Sequence, residues 1–315
     1  MPATVAADGT PPPVRHPVRP DAPAGVCGTQ NRAMLEKPAQ DCSGIERGDR
    51  GAWTKAGAIG LVGGVVGGLI GGGSGVLFVP ALDRFAALSR ARVHGSSTIA
   101  NIGVCVAGAI AYAVGGGAID LRVGLGMTVG GILGGVIGPR LLARASETLL
   151  RVLLIAILVL TAAKFVVDAL GVPLLTHAVL PTSWLADLRF VIPATIVVGA
   201  VIGAWSGAMG LGGGLIAVPA LVLLFGVELH VAAGTSLLMF IPNSIVGSWV
   251  HLRQGTASPW WGWLLGLTSA PGVVAGAALG LALDAVVLGV VFGTFALAMA
   301  VREVWQLVRP RRGGR

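Results

Sequence analysis

A glycine-rich string occurs twice in the chain, with the second copy 139 residues after the first. It reads GGGSGVLFVPAL at residues 71–82 and GLGGGLIAVPAL at residues 210–221. The same offset places Gly95-Ser96-Ser97 over Gly234-Thr235-Ser236 without a gap. An apolar chain that repeats itself once, with glycines in corresponding places, is typical of a membrane transporter built from two halves.

The composition places the chain in a membrane. Hydrophobic side chains make up 54% of the 315 residues and charged ones only 11%, whereas soluble domains carry roughly a quarter of charged residues. Apolar stretches long enough to cross the hydrocarbon recur between Trp53 and Val308. Such segments must be helical unless apolar and polar residues alternate along them, as in the strands of a β-barrel. The run 149–160 does not alternate in this way. We therefore predict an all-α, polytopic transmembrane bundle.

Ten apolar segments are predicted, five in each repeat, at residues 53–70, 74–89, 97–115, 122–139, 148–170, 190–208, 212–226, 233–250, 259–281 and 285–308. The domains are a disordered cytoplasmic tail (1–52), repeat 1 (53–170), a connector (171–189), repeat 2 (190–309) and a basic C-terminal tail (310–315). The N-terminal tail contains equal numbers of acidic and basic residues, so the net charge of +8 comes from Lys and Arg at the ends of the membrane segments. We therefore do not expect a nucleic-acid-binding surface.

The first two segments of each repeat are either two short spans or one re-entrant hairpin, and both return the chain to the side it came from. An odd number of crossings per repeat then remains, so the second half is predicted to be inverted. Basic residues support this topology, since an N-terminus inside the cell places thirteen in the cytoplasm and three outside. The thirteen are Lys55, Arg84, Arg90, Arg92, Arg140, Arg144, Arg151, Arg253, Arg302, Arg309, Arg311, Arg312 and Arg315. We predict a multi-pass protein of the bacterial inner membrane with both termini cytoplasmic.

Residues 71–75 and 210–214, here the first and second glycine breaks, are the first candidate binding elements. Consecutive glycines are poor helix formers, costing about 1 kcal/mol each relative to alanine. Two such breaks at matching positions within the membrane predict interrupted helices, whose N-terminal amides attract an anion. The alternative is that these glycines only allow close helix packing, as many of the 50 glycines must.

Small polar clusters follow each break: Ser96, Ser97, Thr98 and Asn101 in repeat 1, and Thr235, Ser236 and Asn243 in repeat 2. Their hydroxyls either bond back to their own helices or complete a binding cradle with the glycine tips. The predicted substrate-binding residues are therefore Gly73, Ser74, Gly75, Ser96, Ser97, Asn101, Gly212, Gly213, Gly214, Thr235, Ser236 and Asn243.

Every carboxylate is predicted near a segment end or in a loop, so no mid-membrane acid marks a cation site or proton relay. This favours an anionic or neutral cargo, with no metal and no cofactor. His94 and His251 are candidate proton-responsive groups, although an interfacial histidine without such a role is the alternative.

The chain resembles the sulfite exporter TauE/SafE family. The resemblance depends on the string 210–221, on Ala232-Ala233-Gly234-Thr235-Ser236-Leu237, and on His251 with Gly255. The first half departs from the pattern, with His94-Gly95-Ser96-Ser97 where the family more often shows Gly-Thr-Ser. The resemblance implies movement of small sulfur-containing anions, such as sulfite, sulfoacetate or thiosulfate, across the cytoplasmic membrane.

We therefore expect a secondary transporter whose partners are the lipid bilayer and a small anion, with a homo-oligomer left open. A passive anion channel or a permease for another small anion is the main alternative, and a non-transporting scaffold is a weaker one. An intramembrane enzyme is not expected, because neither an HExxH motif nor a mid-membrane pair of carboxylates is visible.

Overall fold

The computed structural model describes residues 50–72, 74–86, 88–116, 119–142, 147–171, 180, 187–209 and 214–308. Within these ranges the chain forms ten helices and no strand. They are α1 (Arg50–Ile70), α2 (Gly75–Phe85), α3 (Arg90–Val114), α4 (Leu121–Leu142), α5 (Glu147–Ala169), α6 (Leu188–Met209), α7 (Gly214–Phe225), α8 (Leu229–Arg253), α9 (Pro259–Ala282) and α10 (Ala285–Val308). The predicted all-α bundle is confirmed. Most of both predicted tails and of the connector lies outside the described residues.

Six of these helices are long and apolar enough to cross a membrane by length and composition: α3, α5, α6, α8, α9 and α10. The outer faces of the bundle carry large apolar side chains, among them Ile110, Val201 and Leu267, which are 58–70% exposed. Exposed apolar surface of this extent is suited to lipid rather than water. The chain is therefore a multi-pass helical membrane protein.

Corresponding helices of the two halves run in opposite directions where they meet. On α3 and α8, Asn101 contacts Ser244 and Tyr112 packs against Gly234, so residue numbers rise along one helix as they fall along the other. On α5 and α10, Arg151 pairs with Glu303 near one end, and Phe165 lies against Gly289 further along. The two halves are therefore inverted copies, as the sequence predicts.

Helices α1 and α3 both run parallel to α9. Along α1, Gly60 lies against Thr268 and Gly68 against Val273. Along α3, Gly103 lies against Gly266 and Gly115 against Leu281. Since α1 and α3 point the same way, α2 must return the chain between them. The prediction that each glycine-break pair returns to its starting side is thus confirmed for repeat 1.

The returning helices α2 and α7 are too short to cross a bilayer. Their 11 and 12 residues span only about 16–18 Å, against about 30 Å of hydrocarbon. Helix α1 ends in a Schellman-type cap, in which Gly71 has φ of 76° and the Gly72 amide donates to the Gly67 carbonyl at 2.7 Å. Gly75 and Gly214, the first residues of the two returning helices, are buried, so both helices begin inside the bundle.

Candidate functional site

A cavity lies where α3, α4, α6 and α8 meet the start of α2. The cavity has a volume of about 50 Å³, which is enough for a few water molecules or one small ion. The lining residues are Gly75, Ser97, Thr98, Asn101, Ile132, Gly135, Gly203, Ser206, Phe240, Asn243, Ser244, Val246, Gly247 and His251. None of these described residues is acidic or carries a permanent positive charge.

A chain of side-chain hydrogen bonds joins the two halves beside this cavity. Ser74, at the N-cap of α2, donates to Asn101 Oδ1 at 3.0 Å, and Asn101 Nδ2 donates to Ser244 Oγ at 3.0 Å. All three side chains are buried. Because Asn101 and Ser244 lie near the midpoints of α3 and α8, the start of α2 is held in the middle of the bundle.

Asn243 presents a buried amide to the same cavity. Its side chain lies against Gly131 of α4, where any larger residue would overlap with it. Both Nδ2 and Oδ1 are buried, and neither has a hydrogen-bond partner among the residues that the structure describes. A buried amide without partners carries an unfavourable desolvation free energy, on the order of 1–3 kcal/mol. A ligand that bonds to the amide would recover it.

Two hydroxyls of the cavity wall, those of Ser97 and Thr98, donate their hydrogens to the backbone of their own helix. Ser97 and Thr98 both donate to the His94 carbonyl oxygen, at 2.8 and 3.0 Å. Each hydroxyl oxygen keeps lone pairs that can accept a hydrogen bond. The cavity wall therefore offers acceptors from α3 as well as donors from the amides.

His251 lines the cavity near the C-terminal end of α8. Its Nδ1 lies 2.9 Å from Thr256 Oγ1, and that hydroxyl donates in turn to the His251 carbonyl at 3.2 Å. Thr256 therefore holds Nδ1 of the ring in place whichever ring nitrogen carries the proton. His94 interacts electrostatically with the His251 ring, so the structure brings the two predicted proton-responsive residues together.

Comparison with known proteins identifies the family. The profile of the family described as Sulfite exporter TauE/SafE matches residues 28–165 and 195–315. The chain belongs to this family. A curated relative, "Probable membrane transporter protein YunE" of Bacillus subtilis (strain 168), is 36% identical over 89 residues, covering 28% of this chain. The alignment spans 31% of the relative's length, and no solved structure matches the chain.

Five of the predicted binding residues of this TauE/SafE protein line the cavity or bond directly to its lining: Ser74, Gly75, Ser97, Asn101 and Asn243. Gly73, Gly212 and Gly213 lie outside the described residues. Three of the remaining four, Ser96, Thr235 and Ser236, have other described contacts. Ser96 donates to the Arg92 carbonyl and accepts from the Ser258 amide, and Thr235 accepts from the Asp120 amide.

Ser236 and Gly214 lie instead against the first glycine break. Ser236 donates to the carbonyl oxygens of Gly71 and Ala233. A Cβ on Gly72 would lie 3.2 Å from Gly214 Cα, so the two breaks approach each other. Tyr112 adds a bond from its hydroxyl to the Gly68 carbonyl at 3.1 Å. These contacts lie toward the end of the bundle opposite Ser97 and His251.

Sequence reasoning did not include Phe240, Ser244 or Gly247 among the site residues. Together with Asn243 and His251 they occupy positions 240, 243, 244, 247 and 251 of α8, and residues three or four positions apart in this set share one helix face. Because that face carries both polar and apolar residues, polarity alone did not reveal it. The helical spacing was the signal that could have found it.

We expect Ser236→Ala to destabilise the TauE/SafE fold by about 1 kcal/mol, because the Gly71 carbonyl would lose its bond from α8. Thermal unfolding in detergent measures the effect. Ser269→Ala is the matched control, since within the described residues this buried hydroxyl bonds to Gly266 of its own helix and to no other helix. Equal losses in the two variants would show that the contact with Gly71 contributes nothing.

Proposed function

We propose that this protein is a secondary transporter that binds a small sulfur-containing anion in the cavity beside Asn243. Sulfite, thiosulfate and organosulfonates such as sulfoacetate are the candidate substrates. The observation that carries the proposal is the buried amide of Asn243, which has no described partner and lines a small cavity between inverted halves. Membership of the sulfite exporter family supports the choice of substrate.

The chemistry of the cavity suits an anion. No described lining residue is acidic, so a negative charge meets no like charge. Donors come from Asn243 Nδ2 and from the second Nδ2 hydrogen of Asn101. Helix α2 begins at Gly75 in the cavity wall. The Leu77 and Phe78 amides donate to the Ser74 carbonyl, which leaves the Gly75 and Val76 amides and the positive end of the helix dipole to attract an anion.

The inverted repeats supply a route for alternating access. Toward one end of the bundle the bond from Ser236 to the Gly71 carbonyl joins the two halves, while the cavity extends toward His251 at the other. In the proposed cycle the halves rock about the site, so that this bond breaks as an equivalent contact forms at the other end. We propose cytoplasmic termini in a bacterial inner membrane, on the charge distribution given above.

Flux measurements on purified protein in liposomes test the proposal. Vesicles loaded separately with sulfite, thiosulfate or sulfoacetate are expected to release at least one anion with saturable kinetics, at a rate far above that of protein-free vesicles. A protonophore tests coupling to a proton gradient. Flux that never saturates and ignores the protonophore would indicate the channel alternative, and no flux of any of the three would overturn the proposal.

A further inference from the structure

The hydrogen-bonding groups of the cavity include acceptors that a fully deprotonated anion cannot use. Asn243 Oδ1 is buried and has no described partner, beside Nδ2 of the same amide. The oxygens of Ser97 and Thr98 present lone pairs, because their hydrogens are bound to the His94 carbonyl. A ligand that only accepts hydrogen bonds would leave Oδ1 buried and unsatisfied, at the same desolvation cost as in the free protein.

We propose that the cavity selects a singly charged oxyanion that keeps one O–H group, of which hydrogen sulfite is an example. The inference rests on the proposed function and narrows its substrate class. The anionic oxygen accepts from Asn243 Nδ2 while the O–H donates to Oδ1, which makes a paired contact on one planar amide. Rotating the amide by half a turn exchanges the two atoms and leaves the pairing intact.

The charge of the cavity favours the same species. None of its described lining residues is lysine or arginine, so a dianion would have to be desolvated without a fixed counter-charge, at a cost that rises steeply with charge. The titratable side chain in the lining is His251, with His94 of α3 close to it. Protonation of the substrate, rather than a fixed cation, is therefore what makes entry feasible.

Measuring sulfite binding at several pH values around neutrality distinguishes protonation of the substrate from protonation of a histidine. Sulfite exchanges its last proton in this range, whereas methanesulfonate, also a singly charged anion with three oxygens on sulfur, has no O–H and does not titrate. We expect the apparent sulfite affinity of the detergent-solubilised protein, measured by calorimetry, to fall about tenfold per pH unit once sulfite is deprotonated, in proportion to the protonated fraction. Methanesulfonate should bind at least tenfold more weakly than sulfite on the acidic side.

Variants complete the test. Asn243→Leu should reduce sulfite binding at least tenfold and abolish the preference for sulfite over methanesulfonate. Gly57→Ala is the control and should bind sulfite as the wild type does, because an added Cβ there has no neighbour within 4 Å. Sulfite affinity that is constant with pH, or equal binding of the two anions, would overturn this inference and leave the proposed function standing. A pH profile that disappears in His251→Gln would also overturn it. If no sulfur oxyanion binds at any pH, the proposed function fails as well.

Discussion

Replacing Asn243 with leucine is expected to abolish most transport while leaving the protein as stable as the wild type or slightly more so. Leucine has a similar size but lacks the two polar atoms that are buried without described partners. Removing them ends a desolvation cost in the free protein. It also removes the paired contact to the substrate, and a hydrogen bond to a charged group contributes about 1.5–3 kcal/mol, or roughly 10- to 100-fold in affinity.

This combination of gained stability and lost activity distinguishes a binding residue from a structural one. Thermal unfolding and sulfite flux from liposomes measure the two effects on the same preparation. If Asn243 were a packing residue, stability and flux would fall together. Wild-type flux in Asn243→Leu would show that Asn243 does not bind the substrate.

Two adjacent glycines of α4 should respond in opposite ways to alanine. A Cβ on Gly134 would overlap with the backbone of Ala200 on α6, whereas a Cβ on Gly135 would find only the Gly203 oxygen, at 3.9 Å. We expect Gly134→Ala to force α4 and α6 apart, with a loss of about 1–3 kcal/mol in unfolding free energy. The yield of folded protein and its melting temperature measure this loss.

Gly135→Ala should fold normally and act on the substrate instead. Gly135 lines the cavity, and a methyl group there takes roughly the room of one water molecule. If the wild type transports sulfoacetate, we expect its flux to fall more than that of sulfite, because sulfoacetate is the larger anion. Equal flux of both anions at the wild-type level would show that the cavity does not limit substrate size, and a folding defect as large as that of Gly134→Ala would contradict the packing described here.

Much of the fold follows from local sequence. The helices lie close to the predicted segments because each apolar run is bounded by glycine, proline or charged residues, as where α1 ends at Gly71 and α9 begins at Pro259. Inversion of the halves could be predicted as well, since a returning helix in each repeat leaves an odd number of crossings, and the distribution of basic residues favours the same topology. The exchange of partners between halves, with α1 on α9 and α4 on α6, has no local signal.

The candidate site could be predicted only in part, and the pair Ser97 and Ser236 shows why. They occupy the same position in the two repeats, yet Ser97 lines the cavity while Ser236 bonds to the Gly71 carbonyl. The two repeats carry corresponding residues at these positions. In a single conformation of the protein, however, corresponding positions in the two halves have different neighbours. Asn243 likewise corresponds to Val104 by the repeat offset, so symmetry alone gave no reason to prefer it.

The most direct test is a cryo-electron microscopy structure of the protein with sulfite in lipid nanodiscs. We predict density for the anion within the bundle, in contact with the Asn243 amide and beside Ser97 and Gly75. Asn243→Leu, prepared identically, should lack that density. Density for the anion only at the membrane surface, with the cavity beside Asn243 unchanged, would contradict substrate binding in this cavity.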